Sequence, residues 1–116
     1  MKLYLLDSSE DMWYEITYTK YFEEDMSITD LKDIYLHITG DIFVQDLLDK
    51  MERDRLIKSS LTDEEREEEK QNWDKYRYTR DYLKNVLQSK MSIIEFKTFI
   101  KWCDKEIRNR ANKTEK

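Results

Sequence analysis

Residues 91–107 read MSIIEFKTFIKWCDKEI, and this stretch carries the clearest periodic signal in the chain. Its apolar residues recur at spacings of 3, 4, 3 and 4, which places them on one face of an α-helix. They are Ile93, Phe96, Ile100, Cys103 and Ile107. Ser92 can cap the first turn, and Glu95 stands at the third helical position, where an acid answers the cap. Met91 before the cap faces Phe96 as a hydrophobic staple. The sequence therefore predicts an amphipathic C-terminal helix.

The same start signal occurs earlier in the chain. Residues 26–32 read MSITDLK, and they share Met, Ser, Ile and Lys in register with MSIIEFK at residues 91–97. Ser27 is again the cap and Asp30 the acid at the third position. Because both heptapeptides follow helix-start chemistry, we interpret them as helix starts and not as a duplicated ligand loop.

A helical stripe follows the first heptapeptide and reaches Gly40, a residue that commonly ends helices. Its members are Ile28, Leu31, Ile34, Tyr35 and Ile38. Asp41 can then cap another helix whose buried side holds Phe43, Val44, Leu47, Leu48 and Met51. We therefore predict an αα-hairpin that turns at Gly40. A DNA-binding helix-turn-helix is disfavoured, because acids near the start of the second helix would repel phosphates.

A long helix is predicted after a connection at residues 55–61. Thr62 and Glu65 form a capping signature, and the acidic run that follows complements the helix dipole. The buried positions begin only at Trp73, so the first turns should project into solvent. The remaining apolar positions are Tyr76, Leu83, Val86 and Leu87. The helix should break between residues 88 and 91.

The N-terminal segment is rich in aromatic and β-branched residues. Residues 2–6 and 12–19 predict a β-hairpin, with one face formed by Met12, Tyr14, Ile16 and Tyr18. A helix from Ser9 to Glu24 is the competing interpretation, because several apolar residues also have helical spacing. The predicted fold class is therefore α+β, mainly α: a hairpin or extended segment, an αα-hairpin, a long helix and a C-terminal amphipathic helix.

Length and composition bound the organisation of the molecule. A chain of 116 residues with one Gly and no Pro predicts one small helical domain, at residues 1–109, followed by a loose basic tail at residues 110–116. The single cysteine, Cys103, and the lack of a signal-peptide core or membrane span favour a cytoplasmic protein.

Residues suited to catalysis are scarce. His37 is the only histidine, Cys103 lies on the apolar stripe of the last helix, and no Gly-rich phosphate loop occurs. These two side chains alone make no zinc site. The sequence therefore predicts no enzyme, no catalytic residues, no metal, no cofactor and no small-molecule substrate.

The uneven distribution of charge along the chain suggests a cationic binding partner. The net charge is −5, and residues 1–50 hold four Lys/Arg against twelve Asp/Glu. Such a field steers encounters with cationic partners. We expect an acidic partner-binding surface that imitates the phosphate rows of a nucleic acid. Its candidate residues are Glu23, Glu24, Asp25, Asp30, Asp33, Glu64, Glu67, Glu68 and Glu69.

Two alternatives stay open. The stretch KYRYTRDYLK at residues 75–84 interleaves cations with tyrosines, a pattern used to bind single-stranded nucleic acid. Its contacts would be Lys75, Arg77, Tyr78, Arg80 and Tyr82. The other alternative is a structural or assembly subunit that forms a homodimer through Tyr78 and Tyr82 or through the final helix.

In size, acidity and lack of motifs the chain resembles the anti-CRISPR class of proteins. That class shares no motif, so the resemblance assigns no role to any residue here. It implies a small inhibitor encoded by a phage or mobile element, whose partner is a host protein with a basic nucleic-acid-binding surface. The abundance of Lys, Ile, Tyr and Asn is typical of AT-rich codons and fits a low-GC bacterial host.

Overall fold

The structure is a computed structural model that describes residues 3–7, 9–10, 12–55, 58 and 60–114. A two-stranded sheet and a π-helical turn precede three long helices. These elements are β1 (Leu3–Asp7), β2 (Met12–Ile16), the π-helical turn (Tyr21–Asp25), α1 (Ile28–Arg53), α2 (Asp63–Lys90) and α3 (Ile93–Thr114). The predicted α+β, mainly α class is confirmed.

The predicted αα-hairpin is wrong, because α1 passes through Gly40 without a break. A glycine inside a helix costs only about 1 kcal/mol relative to alanine, and tertiary contacts offset that cost here. The buried stripe of α1 continues across Gly40 to Ile42, and the Tyr76 hydroxyl of α2 donates a 2.9 Å hydrogen bond to Asp41. Asp41 therefore serves as a partner for α2 and not as a helix cap.

The unbroken helix also changes which residues of its second half are buried. Ile42 is buried, in phase with Leu31, Tyr35 and Ile38. Several residues predicted to be buried lie instead on the opposite side and are exposed. They are Val44, Leu47 and Leu48. Phe43 and Met51 are half-buried. The prediction failed because it assumed a break at Gly40, after which a new helix could turn a different face to the core. In a continuous helix the buried face is set by the residues before Gly40.

α2 matches its prediction closely. Thr62 Oγ1 accepts a 3.2 Å hydrogen bond from the Glu65 backbone N–H, and Glu65 accepts one from the Thr62 backbone N–H, so the predicted cap forms in full. The first turns are exposed, as expected. Four predicted apolar positions are buried and Trp73 is half-buried. Thr79 joins the core, and its hydroxyl is satisfied by the Lys75 carbonyl at 3.1 Å.

The three helices run up, down and up. α2 is antiparallel to α1, since Arg66 near its start pairs with Glu52 at 3.0 Å and Arg77 further along pairs with Asp46 at 2.6 Å. α3 is parallel to α1, because its early residue Phe99 packs on Tyr35 at 5.8 Å. Its late residue Ile107 lines a cavity with the middle of α1. The starts of α1 and α3 therefore lie at the same end of the bundle.

The predicted C-terminal helix is confirmed, with one correction to its buried face. Phe96, Cys103 and Ile107 are buried and Ile100 packs against the core. Ile93 is exposed. The helix runs to Thr114 and so includes most of the stretch predicted as a loose tail. A single domain at residues 1–109 stays a prediction.

The predicted β-hairpin is confirmed, and the competing helix from Ser9 to Glu24 is wrong, because Met12–Ile16 is a strand and helical structure starts only at the π-helical turn (Tyr21–Asp25). β1 and β2 pair antiparallel with Leu3 opposite Ile16 and Asp7 opposite Met12. The face that carries Met12 and Tyr14 is exposed. Trp13 on the other face packs edge-on against Trp73 at 5.2 Å and Tyr76 at 5.3 Å. The Tyr4 backbone N–H also donates to Thr79 Oγ1 at 2.9 Å, which ties the hairpin to α2.

Candidate protein-binding surface

The two similar heptapeptides form caps of the kind predicted. Ser27 Oγ accepts a 3.1 Å hydrogen bond from the Asp30 backbone N–H. Ser92 Oγ accepts a 3.2 Å hydrogen bond from the Glu95 backbone N–H and donates one of 2.9 Å to the Glu95 carboxylate. Because α1 and α3 are parallel, these starts stand beside each other in space, which the sequence alone did not reveal.

A groove of about 540 Å³ lies between the two helix starts. The first wall belongs to α1 and the second to the end of α2 and the start of α3. The lining residues are Thr29, Lys32, Asp33, Met91, Ile94, Glu95, Thr98, Phe99 and Trp102. Most of these residues lie within the two heptapeptides or one turn beyond them, so the repeated start signal also shapes the groove.

Aromatic contacts fix the floor of the groove. Phe99 is buried and packs on Tyr35. The Trp102 ring stacks on the Phe99 ring, with centroids 6.2 Å apart and planes at 24°. The Lys32 ammonium lies 5.4 Å from the centroid of the Phe99 ring, within cation–π range. These contacts hold the floor in place through residues of the chain itself.

Two large apolar side chains project from the groove into solvent. Ile94 is 79% exposed and Trp102 is 50% exposed, although both stand beside the buried Phe99. Exposed apolar surface grouped around a concave site is uncommon on a monomer and marks interaction sites. The sequence carried a signal for this surface, since Ile94, Thr98 and Trp102 recur every four residues beside the buried stripe.

Carboxylates surround this end of the molecule. Asp30 and Asp33 on α1 and Glu95 on α3 are exposed. The π-helical turn adds Glu24 and Asp25, also exposed, just before α1 begins. Apart from Lys32, the charged residues that line the groove are acidic. The groove therefore offers an apolar centre with a negative rim.

Glu23 from the same predicted set has a structural role. The Tyr82 hydroxyl of α2 donates a 2.5 Å hydrogen bond to the Glu23 carboxylate. Burial and this acidic neighbour raise the pKa of Tyr82 to about 12. Phe22 beside Glu23 is buried in the core. The π-helical turn, which the sequence did not predict, thus fixes the entry into α1.

The structure does not bring the two predicted acidic groups together. Residues Glu64, Glu67, Glu68 and Glu69 are all exposed at the start of α2, near the end of α1. With a rise of about 1.5 Å per residue, Glu67 lies about 22 Å along the helix from Tyr82, which marks the other end. The molecule thus carries separate acidic ends, and only one of them borders the groove.

The residues of the nucleic-acid alternative are also dispersed. The Lys75 ammonium lies over the Tyr4 ring of β1 at 4.7 Å, and Arg80 pairs with Asp81 at 3.2 Å. Arg77 pairs with carboxylates of both α1 and α2; burial acts to lower its pKa, but these pairs raise it overall. Tyr78 is exposed and Tyr82 is bound to Glu23. These cations face different elements, and Arg77 and Arg80 already have acidic partners.

Neither His37 nor Cys103 lines the groove. His37 Nε2 lies 3.3 Å from Asp41 Oδ2, and that oxygen also accepts the Tyr76 hydroxyl. Burial raises the pKa of the Cys103 thiol to about 12, so it stays protonated at neutral pH. Among the described residues, no group of three or more His, Cys, Asp or Glu side chains is placed to hold a metal ion.

No family model, curated protein or solved structure matches this chain, so its function has to be inferred from its own residues. None of the helices, over the part of the chain that the structure describes, has the length and apolar character needed to cross a membrane.

Proposed function

We propose that this protein is a non-enzymatic protein-binding module, and that its binding site is the groove between α1 and α3. The observation that carries the proposal is the exposure of Ile94 and Trp102 above a fixed aromatic floor. Burying such side chains against a partner removes apolar surface from water, and aromatic anchors of this kind dominate binding energy at interfaces.

The shape and charge of the groove favour an amphipathic helix as its occupant. The site is an open trough between two helices, the form in which apolar helix faces dock. Its rim is acidic through Asp33 and Glu95, so the flanks of the docked helix should be basic. Complementary charge would speed the encounter and fix the orientation of the helix.

A sharper form of the proposal concerns the identity of the partner. The protein would be a small acidic inhibitor of phage or mobile-element origin, similar in type to anti-CRISPR proteins, which blocks a host nucleic-acid-binding protein. The groove would hold a helix beside the basic surface of that protein. The exposed carboxylates at residues 24, 25, 30 and 33 would then face cations that otherwise hold phosphates.

Affinity capture with matched variants tests the proposal. The immobilised protein is exposed to a lysate of a low-GC bacterium, and bound proteins are quantified by mass spectrometry. Ile94→Ala/Trp102→Ala should reduce capture of the specific partner at least about tenfold, the loss expected for interface anchors. Tyr18→Ala removes an equally exposed ring on the hairpin side and should leave capture unchanged. Equal capture by all three proteins would overturn the proposal.

Charge reversal separates the two acidic ends. Asp30→Lys/Asp33→Lys should weaken capture, whereas Glu67→Lys/Glu68→Lys, at the other end of the bundle, should change it less. The opposite result would place the binding site at the start of α2. A gel shift of single-stranded DNA or RNA by the isolated protein, lost in Arg77→Ala/Arg80→Ala, would favour the nucleic-acid alternative.

A further inference from the structure

The outer side of α3 carries a row of cations. Four of them recur at spacings of 4, 4 and 3 residues, which places them along one side of the helix, and all four are exposed. They are Lys97, Lys101, Lys105 and Arg108. This basic row lies opposite the buried stripe that includes Cys103. The row therefore points into solvent, although the protein as a whole is acidic.

The cations of the basic row form no ion pair with a residue that the structure describes. The arginines of α2 differ, because Arg77 pairs with Asp46 and Arg80 pairs with Asp81. Asp104 lines the same shallow depression as part of the row, but it too is outside ion-pair distance. Like charges three and four residues apart repel one another on a helix. A polyanion bound along the row would relieve this repulsion without breaking an ion pair of the protein.

Groups suited to phosphate oxygens border the row. Lys101, Lys105 and Arg108 share a shallow depression of about 440 Å³ with Asn109. Thr98 is exposed and lies one turn before Lys101 on the same side of the helix. Lysine, arginine, threonine and asparagine side chains all donate hydrogen bonds to nucleic-acid phosphates. The row therefore combines positive charge with neutral donors of the right kind.

The composition of the row distinguishes a duplex from other anionic partners. Protein interfaces have an apolar core and single-strand binders use rings for base stacking, but no apolar or aromatic residue stands in the row between its first and last cation. The nearest ring, Trp102, is stacked on Phe99 at the groove. Ile94 continues the row toward the helix start, but Glu95 and Asp33 beside it would repel anionic lipid headgroups.

We propose that the basic row of α3 binds the phosphate backbone of a nucleic-acid duplex without reading its sequence. At a rise of about 1.5 Å per residue the row is about 16 Å long, which is the axial length of about five phosphates of one strand. Four contacts give a weak and strongly salt-dependent interaction. This inference goes beyond the proposed function, because the row and the groove are different surfaces.

The two surfaces of α3 can be occupied together. Glu95 and Trp102 line the groove between α3 and α1, whereas the row points away from the bundle. A helix docked in the groove therefore leaves the row open. If the partner is a nucleic-acid-binding protein, as the proposed function holds, the row would contact its nucleic acid within the same complex.

Fluorescence anisotropy of a short labelled DNA duplex, titrated with the full chain, tests the proposal. Wild type should bind at low salt with a dissociation constant on the order of 10⁻⁵ M, and log K should fall against log salt with a slope of about −3.6, the value for four phosphate contacts. The row variant should bind at least about tenfold more weakly. It is Lys97→Gln/Lys101→Gln/Lys105→Gln/Arg108→Gln.

A matched control removes the same net charge from exposed positions on α1 and α2. It is Lys50→Gln/Arg53→Gln/Lys70→Gln/Lys84→Gln. The control should weaken binding less than about threefold, because it changes only the overall field. Circular dichroism confirms that both variants are folded.

Several results would overturn the duplex assignment. They include a wild type that leaves the duplex unbound at low salt, and equal losses in the row and control variants. Displacement of the duplex by poly-L-glutamate or by phosphatidylserine vesicles, at a lower charge concentration than unlabelled duplex requires, would assign the row to an acidic protein or a membrane. Single-strand binding that is tighter than duplex binding and lost in Trp102→Ala would replace backbone contact by base stacking.

The groove and the row are separable in these assays. Ile94→Ala/Trp102→Ala should bind the duplex as wild type does, and the row variant should still capture the protein partner. Loss of duplex binding in the groove variant would overturn the separation of the two surfaces. Failure of duplex binding by wild type would leave capture through the groove untouched, so the two proposals can fail independently.

Discussion

α1 and α3 begin with nearly the same seven residues but meet different surroundings. α1 packs against both other helices. Leu31, the sixth residue of its heptapeptide, is fully buried. α3 lies at the side of the bundle, so its equivalent residue Phe96 is buried while the outer side stays open. The two starts also differ at one position that lines the groove, where α1 has Thr29 and α3 has Ile94.

The comparison separates the local signal from its setting. In both helices the serine side chain accepts a hydrogen bond from the backbone N–H three residues later, so the cap forms in the same way at both starts. Whether the next apolar residue is buried depends on which helices pack nearby, and no local pattern contains that information. The heptapeptides therefore specify helix starts, and the packing of the bundle leaves Ile94 of the second one exposed.

The largest effect should follow from truncating the shared buried position. Leu31→Ala and Phe96→Ala should each lower the free energy of unfolding by about 3 kcal/mol, because both leave a cavity in the core. Ile94 is exposed, so Ile94→Ala should change the free energy of unfolding by less than about 0.5 kcal/mol. Urea unfolding, monitored by circular dichroism, measures the free energy of unfolding of all three variants. A loss above about 2 kcal/mol for Ile94→Ala would show that this side chain is part of the core.

A smaller, equal effect should follow from removing either cap. Ser27→Ala and Ser92→Ala should each cost about 1 kcal/mol, since each leaves a backbone N–H of the first turn without its side-chain acceptor. Ser60→Ala, in the exposed connection before α2, is the control and should be nearly neutral. Partner capture should be retained in both cap variants. A folded cap variant that lost capture would assign that serine to the binding site.

The smallest effect should be a gain at the one glycine, which occurs in α1 but has no counterpart in α3. Gly40 has no positive φ, and a Cβ added there would meet no atom within 4 Å. Gly40→Ala should therefore stabilise the protein by about 0.5–1 kcal/mol through helix propensity. Thermal unfolding at a fixed protein concentration shows whether the substitution raises or lowers the stability. A loss of stability would mean that the chain turns at Gly40 as a helical hairpin does.

Much of the fold was predictable because its signals are local. Caps at Ser27, Thr62 and Ser92 and the stripe that includes Cys103 located three helix starts and one buried face. The break assigned to Gly40 failed because a weak local preference of about 1 kcal/mol was outweighed by burial of apolar residues and by contacts to α2. Trp13 was missed for a similar reason, since its partners Trp73 and Tyr76 lie about sixty residues away.

The candidate site was only partly predictable. The exposed carboxylates Asp30 and Asp33 could be chosen from charge alone, and the structure places them at the groove end of the bundle. Glu23 could not be distinguished from them, because its role depends on Tyr82 in another helix. Ile94 and Trp102 were visible as apolar residues, but their exposure depends on how α3 packs, and the residues that the structure describes leave its outer side open.

The placement of the three tryptophans gives the protein a set of internal optical probes. Trp13 and Trp73 meet at 5.2 Å only when the hairpin rests on α2, so their coupled near-ultraviolet circular dichroism should follow formation of tertiary structure. Trp102 is half exposed in the groove, so its fluorescence should shift to shorter wavelength when a helix covers it. Folding and occupancy of the groove can thus be followed separately in the same unlabelled sample.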